Sequence, residues 1–323
     1  MKKIKNLLWA LGVLFLTTAV AFLIIFTRQK TPISQTEFML DTICTVTLYD
    51  WSGDGHALLQ GAFDLSEQYE QMLSATVSGS DVYRINHSRG APVEVAPETV
   101  QLLSHAAEYS RLSGGAFDIS IYPVKQLWDF SGTGSDIPDT AALKEAVKRV
   151  DFTQVQLEGN NVTLPDGMGI DLGAIAKGFT ADKIADYLRG KGVTSAVIDL
   201  GGNVLTIGSK PDGSDWRVGI QQPFGQSSID VVEVSGQSVV TSGVYQRYFE
   251  KDGVIYHHIL SAADGMPCRS GLYSVTVIGE CSEQCDALST VCMLLGYEQS
   301  KEILENYPGV RAIFVTDEME LKY

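Results

Sequence analysis

Positive charge is what this chain has least of. Against 39 Asp and Glu it carries 24 Lys and Arg, a formal net charge of −15. That balance excludes a uniformly basic, nucleic-acid-binding surface while leaving room for a local patch. Lys2, Lys3, Lys5, Arg28 and Lys30 fall in the first 30 residues, where there is no acid, so the remainder is more acidic still. Cysteine is sparse and odd in number: with Cys44, Cys268, Cys281, Cys285 and Cys292, complete pairing into disulfides is excluded. Cys281-x3-Cys285 lacks the second pair that a structural zinc site needs, and reads as small apolar residues or a local disulfide. Cys292, in an apolar run, reads as core. A Gly-x4-Gly-Lys-Ser/Thr phosphate loop is missing, as are internal repeats, low-complexity tracts and long linkers. What is present, 45% hydrophobic and 9% aromatic residues, excludes a disordered acidic chain. The 323 residues suffice for one large domain or two sharing an interface.

Leu7 to Phe26 is an uncharged apolar run of 20 residues behind a basic head. As a helix it extends about 30 Å, one bilayer crossing. A cleaved signal peptide is the competing reading, with Ala19-Val20-Ala21 as the processing site. Cleavage there leaves the apolar Phe22–Phe26 at the new terminus, which favours a retained single-pass anchor with the catalytic bulk outside the cytoplasm. No cysteine lies near the end of the run to accept a lipid. The expected organisation is 1–30 as anchor or signal, 37–316 as the catalytic domain and 317–323 as a tail.

Beyond the anchor, alternating Cys44, Val46 and Leu48 place a strand over Ile33 to Asp50, and helical spacing of Leu58, Ala62, Leu65, Tyr69 and Met72 places a helix over 55–73. A short turn or helix is expected at 81–86 and further helices at 97–113, 139–149, 178–190, 284–295 and 299–305, with a polar loop at 131–135. Strands are expected near 155 and 162, then at 195–200, 204–207, 216–220, 229–234, 237–241, 272–278 and 310–316. A hairpin over 245–256 should turn at Lys251-Asp252-Gly253. The order lacks the regular βαβ period of a doubly wound sheet. The fold class is α+β, with mixed, largely antiparallel sheets and packed helices, preceded by one apolar helix.

Four segments carry candidate chemistry. Gly169 to Gly178 crowds small residues around Asp171 and Lys177 just before a helix, where close backbone approach, free amides and a lysine suit phosphate oxygens; an Asp/Gly turn with a solvated lysine is the plainer alternative. Gly114-Gly115-Ala116-Phe117-Asp118 admits a flat ring, with Asp118 bonding to it or ordering the loop, or else is a helix stop followed by a core phenylalanine. Thr241-Ser242-Gly243 precedes His257-His258-Ile259, where strand alternation turns one histidine inward and the other outward. Asp286 and Thr290 share a helix face at i, i+4. With a backbone carbonyl they suit Mg²⁺ or Ca²⁺ when phosphates complete the shell, unless Asp286 is a cap and Thr290 bonds back into its helix.

Taken together and in order, Ser113–Ser120, Ile170–Gly178, Gly201-Gly202-Asn203, Thr241-Ser242-Gly243, His257-His258-Ile259 and Asp286–Thr290 resemble the family of FAD:protein FMN transferases, formerly called thiamine-biosynthesis lipoproteins, over roughly residues 37–316. The resemblance implies an α+β fold that binds FAD in a cleft. With Mg²⁺ it breaks the pyrophosphate and passes FMN to a Thr or Ser hydroxyl of a partner protein, releasing AMP. It implies Ala174 (by its carbonyl), Asp286 and Thr290 as metal ligands, and Met39, Ala116, Phe117, Asp118, Asp171, Lys177, His258 and Ile259 as FAD contacts. Catalysis then falls to His258 and Asp286, and the implied acceptors are flavin-carrying redox subunits at a membrane. Two departures stand out: Leu40-Asp41-Thr42 where relatives have Met-Gly-Thr, and Leu260 to Gly265 where they have Leu-Asp-Pro before the glycine. FAD hydrolysis to FMN and AMP, or flavin binding without catalysis, are the alternative functions.

Overall fold

The computed structural model describes residues 30–130 and 136–323, with Trp9 and Thr17 before them. The expected apolar helix over 7–26 and the expected loop at 131–135 therefore lie outside the described residues. Among the described residues no helix is long and apolar enough to cross a membrane.

The strands, in chain order, are β1 Ile33–Met39, β2 Thr42–Asp50, β3 Val93–Glu94, β4 Gln156–Glu158, β5 Asn161–Thr163, β6 Ser195–Leu200, β7 Asn203–Ile207, β8 Trp216–Gln221, β9 Ser228–Val234, β10 Ser238–Gly243, β11 Tyr248–Lys251, β12 Val254–His257, β13 Leu272–Gly279, β14 Arg311–Thr316 and β15 Leu321–Lys322. Among the described residues the α-helices are α1 Gly55–Leu73, α2 Asp81–Asn86, α3 Pro97–Leu112, α4 Tyr122–Lys125, α5 Thr140–Val147, α6 Ala176–Gly190, α7 Ser282–Leu295 and α8 Tyr297–Leu304. Eight strands form one sheet in the order β1-β2-β6-β7-β10-β13-β14-β15, and each neighbouring pair is antiparallel. The α+β class with antiparallel sheets is as expected. The single strand over 33–50 is not. The chain reverses at Leu40-Asp41, both left-handed at φ 52° and 58°, a two-residue hairpin turn written without the usual Asn or Gly. Apolar alternation is confined to Cys44, Val46 and Leu48 of the second arm, and the polar run Ser34 to Glu37 carries no pattern that separates the two strands.

The sheet's two faces carry different covers. Cys44, Val46, Leu48, Ile198 and Leu200 meet Leu59, Phe63 and Ile184 of α1 and α6, while Val239, Ile278 and Ile313 face the β8–β9 hairpin through Trp216, Val232 and Val234. Helix α7 packs on β10 and β13 and crosses α6. At that crossing Gly178 is obligatory, because a Cβ there would overlap the Ser282 carbonyl oxygen. Asp182 of α6 caps α7 from outside, its carboxylate accepting from the Ser282 and Glu283 N–H groups at 2.9 and 2.8 Å. The Ser282 hydroxyl donates to Asn203 Oδ1 at 2.7 Å, so the residue after Gly201-Gly202 pins the same helix start.

Candidate active site

Where the ends of β10, α6 and α7 meet the β1–β2 turn, they enclose a cleft of about 660 Å³, a size typical of small-molecule sites. Its floor is built by the α6–α7 crossing. Asp286 is buried, and its Oδ2 accepts the Gly178 N–H at 2.9 Å. Its other oxygen has no protein hydrogen-bond donor among the described residues. Burial lifts the Asp286 carboxyl above the usual range, against the opposing pull of Lys177 and the Gly178 amide, while Asp182 adds to the lift. A buried anion so thinly compensated is a cation acceptor. One turn on, Thr290 presents its hydroxyl to Ser242 Oγ at 3.2 Å and to the Asp286 carbonyl at 3.4 Å. Ala174 and Lys177 line the same cleft. The side-chain oxygens available here are hard: the Asp286 carboxylate and the Thr290 hydroxyl. Among the described residues no three His, Cys, Asp or Glu cluster as a self-sufficient metal site, so an ion held here needs oxygens from a ligand. That requirement fits Mg²⁺ between protein and phosphates.

The two histidines divide, though not by strand alternation: β12 ends at His257 and the chain bends at His258. His257 is 5% exposed; its Nε2–H donates to the Cys268 carbonyl at 3.1 Å and its Nδ1 accepts the Ile259 N–H at 3.3 Å. It is a satisfied core residue, pushed down to about 4 by burial. His258 lines the cleft. Its Nδ1 lies 3.3 Å from the Arg247 carbonyl, and a carbonyl only accepts, so Nδ1 carries the hydrogen and Nε2 has its lone pair free. Burial, then the positive charges of Arg247, His257 and Lys177, push the His258 imidazole down to about 3. The ring is neutral at ordinary pH, with Nε2 open to accept a hydrogen bond, and is a weak base until a negatively charged ligand offsets the neighbouring cations.

Of the other expected contacts, all but Met39 line the cleft. Phe117 is 2% exposed and packs edge-on to Tyr109 in the core, so the plainer reading, a core phenylalanine after a helix stop, holds for its ring, while Ala116–Asp118 still form cleft wall. Asp118 orders the loop: Oδ1 accepts from the Ser120 N–H and hydroxyl at 2.7 and 2.6 Å, and Oδ2 from the Phe152 N–H at 3.0 Å. Asp171 lines the cleft but pairs with Lys125 at 2.6 Å and accepts the Gly173 N–H. Burial would raise its carboxyl, and Lys125, Gly173 and Arg247 together outweigh that and hold it low. Ile259 lines the cleft with His258. Met39 does not: it packs against the sheet–helix core, and the turn beside it brings Leu40, Asp41 and Thr42 to the cleft instead.

Sequence reasoning missed the residues that tie these segments together. Asn86 clamps Ile170 from both sides, accepting its N–H at 2.7 Å and donating to its carbonyl at 2.8 Å, across 84 positions of sequence. Glu70 holds the Leu40 N–H at 3.1 Å. Arg247 reaches over to the Asp41 carbonyl at 3.1 Å and its carboxylate at 3.8 Å. Lone polar residues at such separations carry no local pattern to find. Cys281 is exposed, and it, Cys285 and the three other cysteines are all free thiols.

Comparison with known proteins agrees with this arrangement. Residues 40–314 match the model of the ApbE family. The chain is 40% identical to the FAD:protein FMN transferase of Treponema pallidum over 87% of this chain and 84% of that one. It is 38% identical to a protein of the same name from Klebsiella pneumoniae, over 82% and 84%. The crystal structure of an ApbE protein from Thermotoga maritima superposes with a TM-score of 0.84 at 29% identity, covering 90% of this chain and 96% of that one. Pseudomonas stutzeri flavinyl transferase ApbE, in its apo form, superposes at 0.80 with 31% identity, covering 91% and 94%. Motif order, fold and cleft thus converge with these likenesses, and the chain belongs to the ApbE family of FAD:protein FMN transferases.

Proposed function

We propose that this chain transfers FMN from FAD to a Thr or Ser hydroxyl of an acceptor protein in a Mg²⁺-dependent reaction that releases AMP. The observation that carries the reading is the meeting of Ala174, Lys177, His258, Asp286 and Thr290, drawn from three distant segments, in one cleft. Asp286, Thr290 and the Ala174 carbonyl would hold the metal. Bound there, Mg²⁺ supplies Lewis-acid polarisation of the phosphates and charge neutralisation for the departing AMP. Lys177 orients the same phosphates. His258 Nε2 takes the proton from the acceptor hydroxyl as its oxygen bonds to the FMN-side phosphorus, and the bond from that phosphorus to the AMP oxygen breaks. Ala116–Asp118, Asp171 and Ile259 shape the wall against which FAD lies. The flavin is substrate, and the enzyme performs no redox step.

The proposed acceptors are flavin-carrying redox subunits at a membrane. The uncharged run Leu7–Phe26 supports a single-pass anchor with the catalytic domain outside the cytoplasm, which raises encounter with such partners. One incubation tests the reaction: the purified chain with FAD, Mg²⁺ and a flavin-carrying subunit, followed by the mass of the acceptor and AMP release. A covalent gain equal to an FMN phosphoester is expected. AMP without labelling indicates hydrolysis instead, and neither product indicates binding alone.

A further inference from the structure

The β8–β9 hairpin ends in a loop that presents an aromatic ring beside the cleft mouth. The Gly225 N–H donates to the Gln222 carbonyl at 3.0 Å, closing a turn with Pro223 and Phe224 at its centre. Proline sets the first central residue, and Phe224 follows at φ 58°, which is the type II pattern, whose second central position normally takes glycine. The loop is rigidly held: the Gln222 N–H donates to the Ser227 carbonyl at 2.8 Å, the Gln221 amide to the Gly225 carbonyl at 3.0 Å, and the Ser227 hydroxyl to Gln222 Oε1 at 2.8 Å. A bulky residue thus stands where backbone geometry disfavours it, and its ring is not sequestered, being 43% exposed.

Three tyrosines surround Phe224 edge-to-face: Tyr245, Tyr248 and Tyr273, at centroid distances of 6.0, 5.3 and 5.3 Å. None stacks on it. Tyr248 is itself 39% exposed. Strand alternation explains why: its neighbour Phe249 turns inward to stack on Tyr256 at 5.2 Å, so Tyr248 faces the other way. Phe224 and Tyr248 lie outside the cleft wall, but Tyr245 and Gln221 belong to it. The exposed aromatic patch is therefore continuous with the opening through which a protein hydroxyl must reach His258.

We infer that Phe224 and Tyr248 form the docking surface for the acceptor protein, receiving an apolar side chain that flanks the modified Thr or Ser on an extended loop. Rigid, half-exposed aromatics beside a pocket are the usual anchors of protein recognition, and a held loop removes ordering cost on binding. The inference rests on the transfer reading and adds to it the surface that selects the partner.

The test is steady-state kinetics on the full chain with FAD, Mg²⁺ and a flavin-carrying subunit that the wild type labels. Phe224→Ala, Phe224→Gly and Tyr248→Ala should each raise the acceptor KM, by about tenfold for Phe224. The KM for FAD, acceptor-free AMP release and the melting temperature should stay at wild-type values, and Phe224→Trp should restore the acceptor KM. Phe224→Gly removes the ring while relieving the left-handed backbone, so a folding defect cannot mimic the effect. An unchanged acceptor KM would overturn the docking surface alone. A parallel rise in the KM for FAD would overturn it too, placing the ring on the flavin. A wild type that labels no acceptor would sink the transfer reading and this inference with it.

Discussion

The floor and the rim of the cleft are built on opposite principles. On the floor, Asp286, Gly178, Asp182 and Asn203 are held by hydrogen bonds between two helices that touch through a glycine. On the rim, Leu40, Asp41 and Phe224 adopt left-handed backbone, and exposed Asp41 meets Arg247 across the opening at 3.8 Å. The floor's geometry is over-determined and suits chemistry that tolerates little displacement. The rim sets exposed side chains on hydrogen-bonded turns, which suits selection and entry of ligands.

The largest effects are expected at the floor and at His258. Asp286→Ala should lower Mg²⁺-dependent turnover by at least about 100-fold, with no rescue by excess Mg²⁺. Unchanged turnover at saturating Mg²⁺ would break the assignment. His258→Gln should reduce transfer by about 10²–10⁴-fold while FAD binding persists. By contrast, His257→Gln should act on stability, costing about 1–3 kcal/mol through an unsatisfied buried partner. The two adjacent variants, compared by turnover and melting temperature, separate a chemical histidine from a structural one.

Gly178→Ala comes next. Forcing a Cβ against the Ser282 carbonyl should destabilise the fold by about 1–3 kcal/mol, lower the melting temperature by several degrees and weaken Mg²⁺ affinity together. The pH response is gentler. His257 and His258 fold neutral, pushed down to about 4 and about 3. In the unfolded chain they bind protons near their ordinary value of about 6.5. Their contribution to stability is therefore complete above pH 6.5 and is lost as pH falls toward 4 and then 3. Thermal melts between pH 7 and 4 should show this decline, and His257→Gln should flatten part of it. The smallest effect is expected at the rim: Asp41→Gly removes an exposed ion pair worth under about 1 kcal/mol and places glycine at φ 58°. Its melting temperature should stay level or rise slightly, with the KM for FAD changed less than about threefold. A large loss would show that the rim shares the floor's precision.

Much of this was legible before the structure. Period-2 and period-3.6 patterning marks elements that bury one face, so α1 over Gly55–Leu73, β6 over Ser195–Leu200 and the Asp252-Gly253 turn between β11 and β12 emerged close to their observed bounds. The cleft residues were found because small residues, acids and a lysine clustered in short motifs. Leu40-Asp41 was not legible as a turn, since neither residue advertises left-handed backbone. Asp118 could be read either as a ring contact or as a loop brace, and only the positions of Ser120 and Phe152 decided for the brace.

Local sequence by itself determined which segments become helix or strand and which residue types gather where phosphate chemistry is feasible. Those properties depend on neighbours within a few positions. Tertiary structure alone decided that Asn86 clamps Ile170, that Lys125 holds Asp171, that Arg247 crosses to Asp41 and that Phe224 stands beside the cleft. Each is a single pair of groups brought together by the path of the whole sheet, and such pairs leave no periodic trace in the chain that makes them.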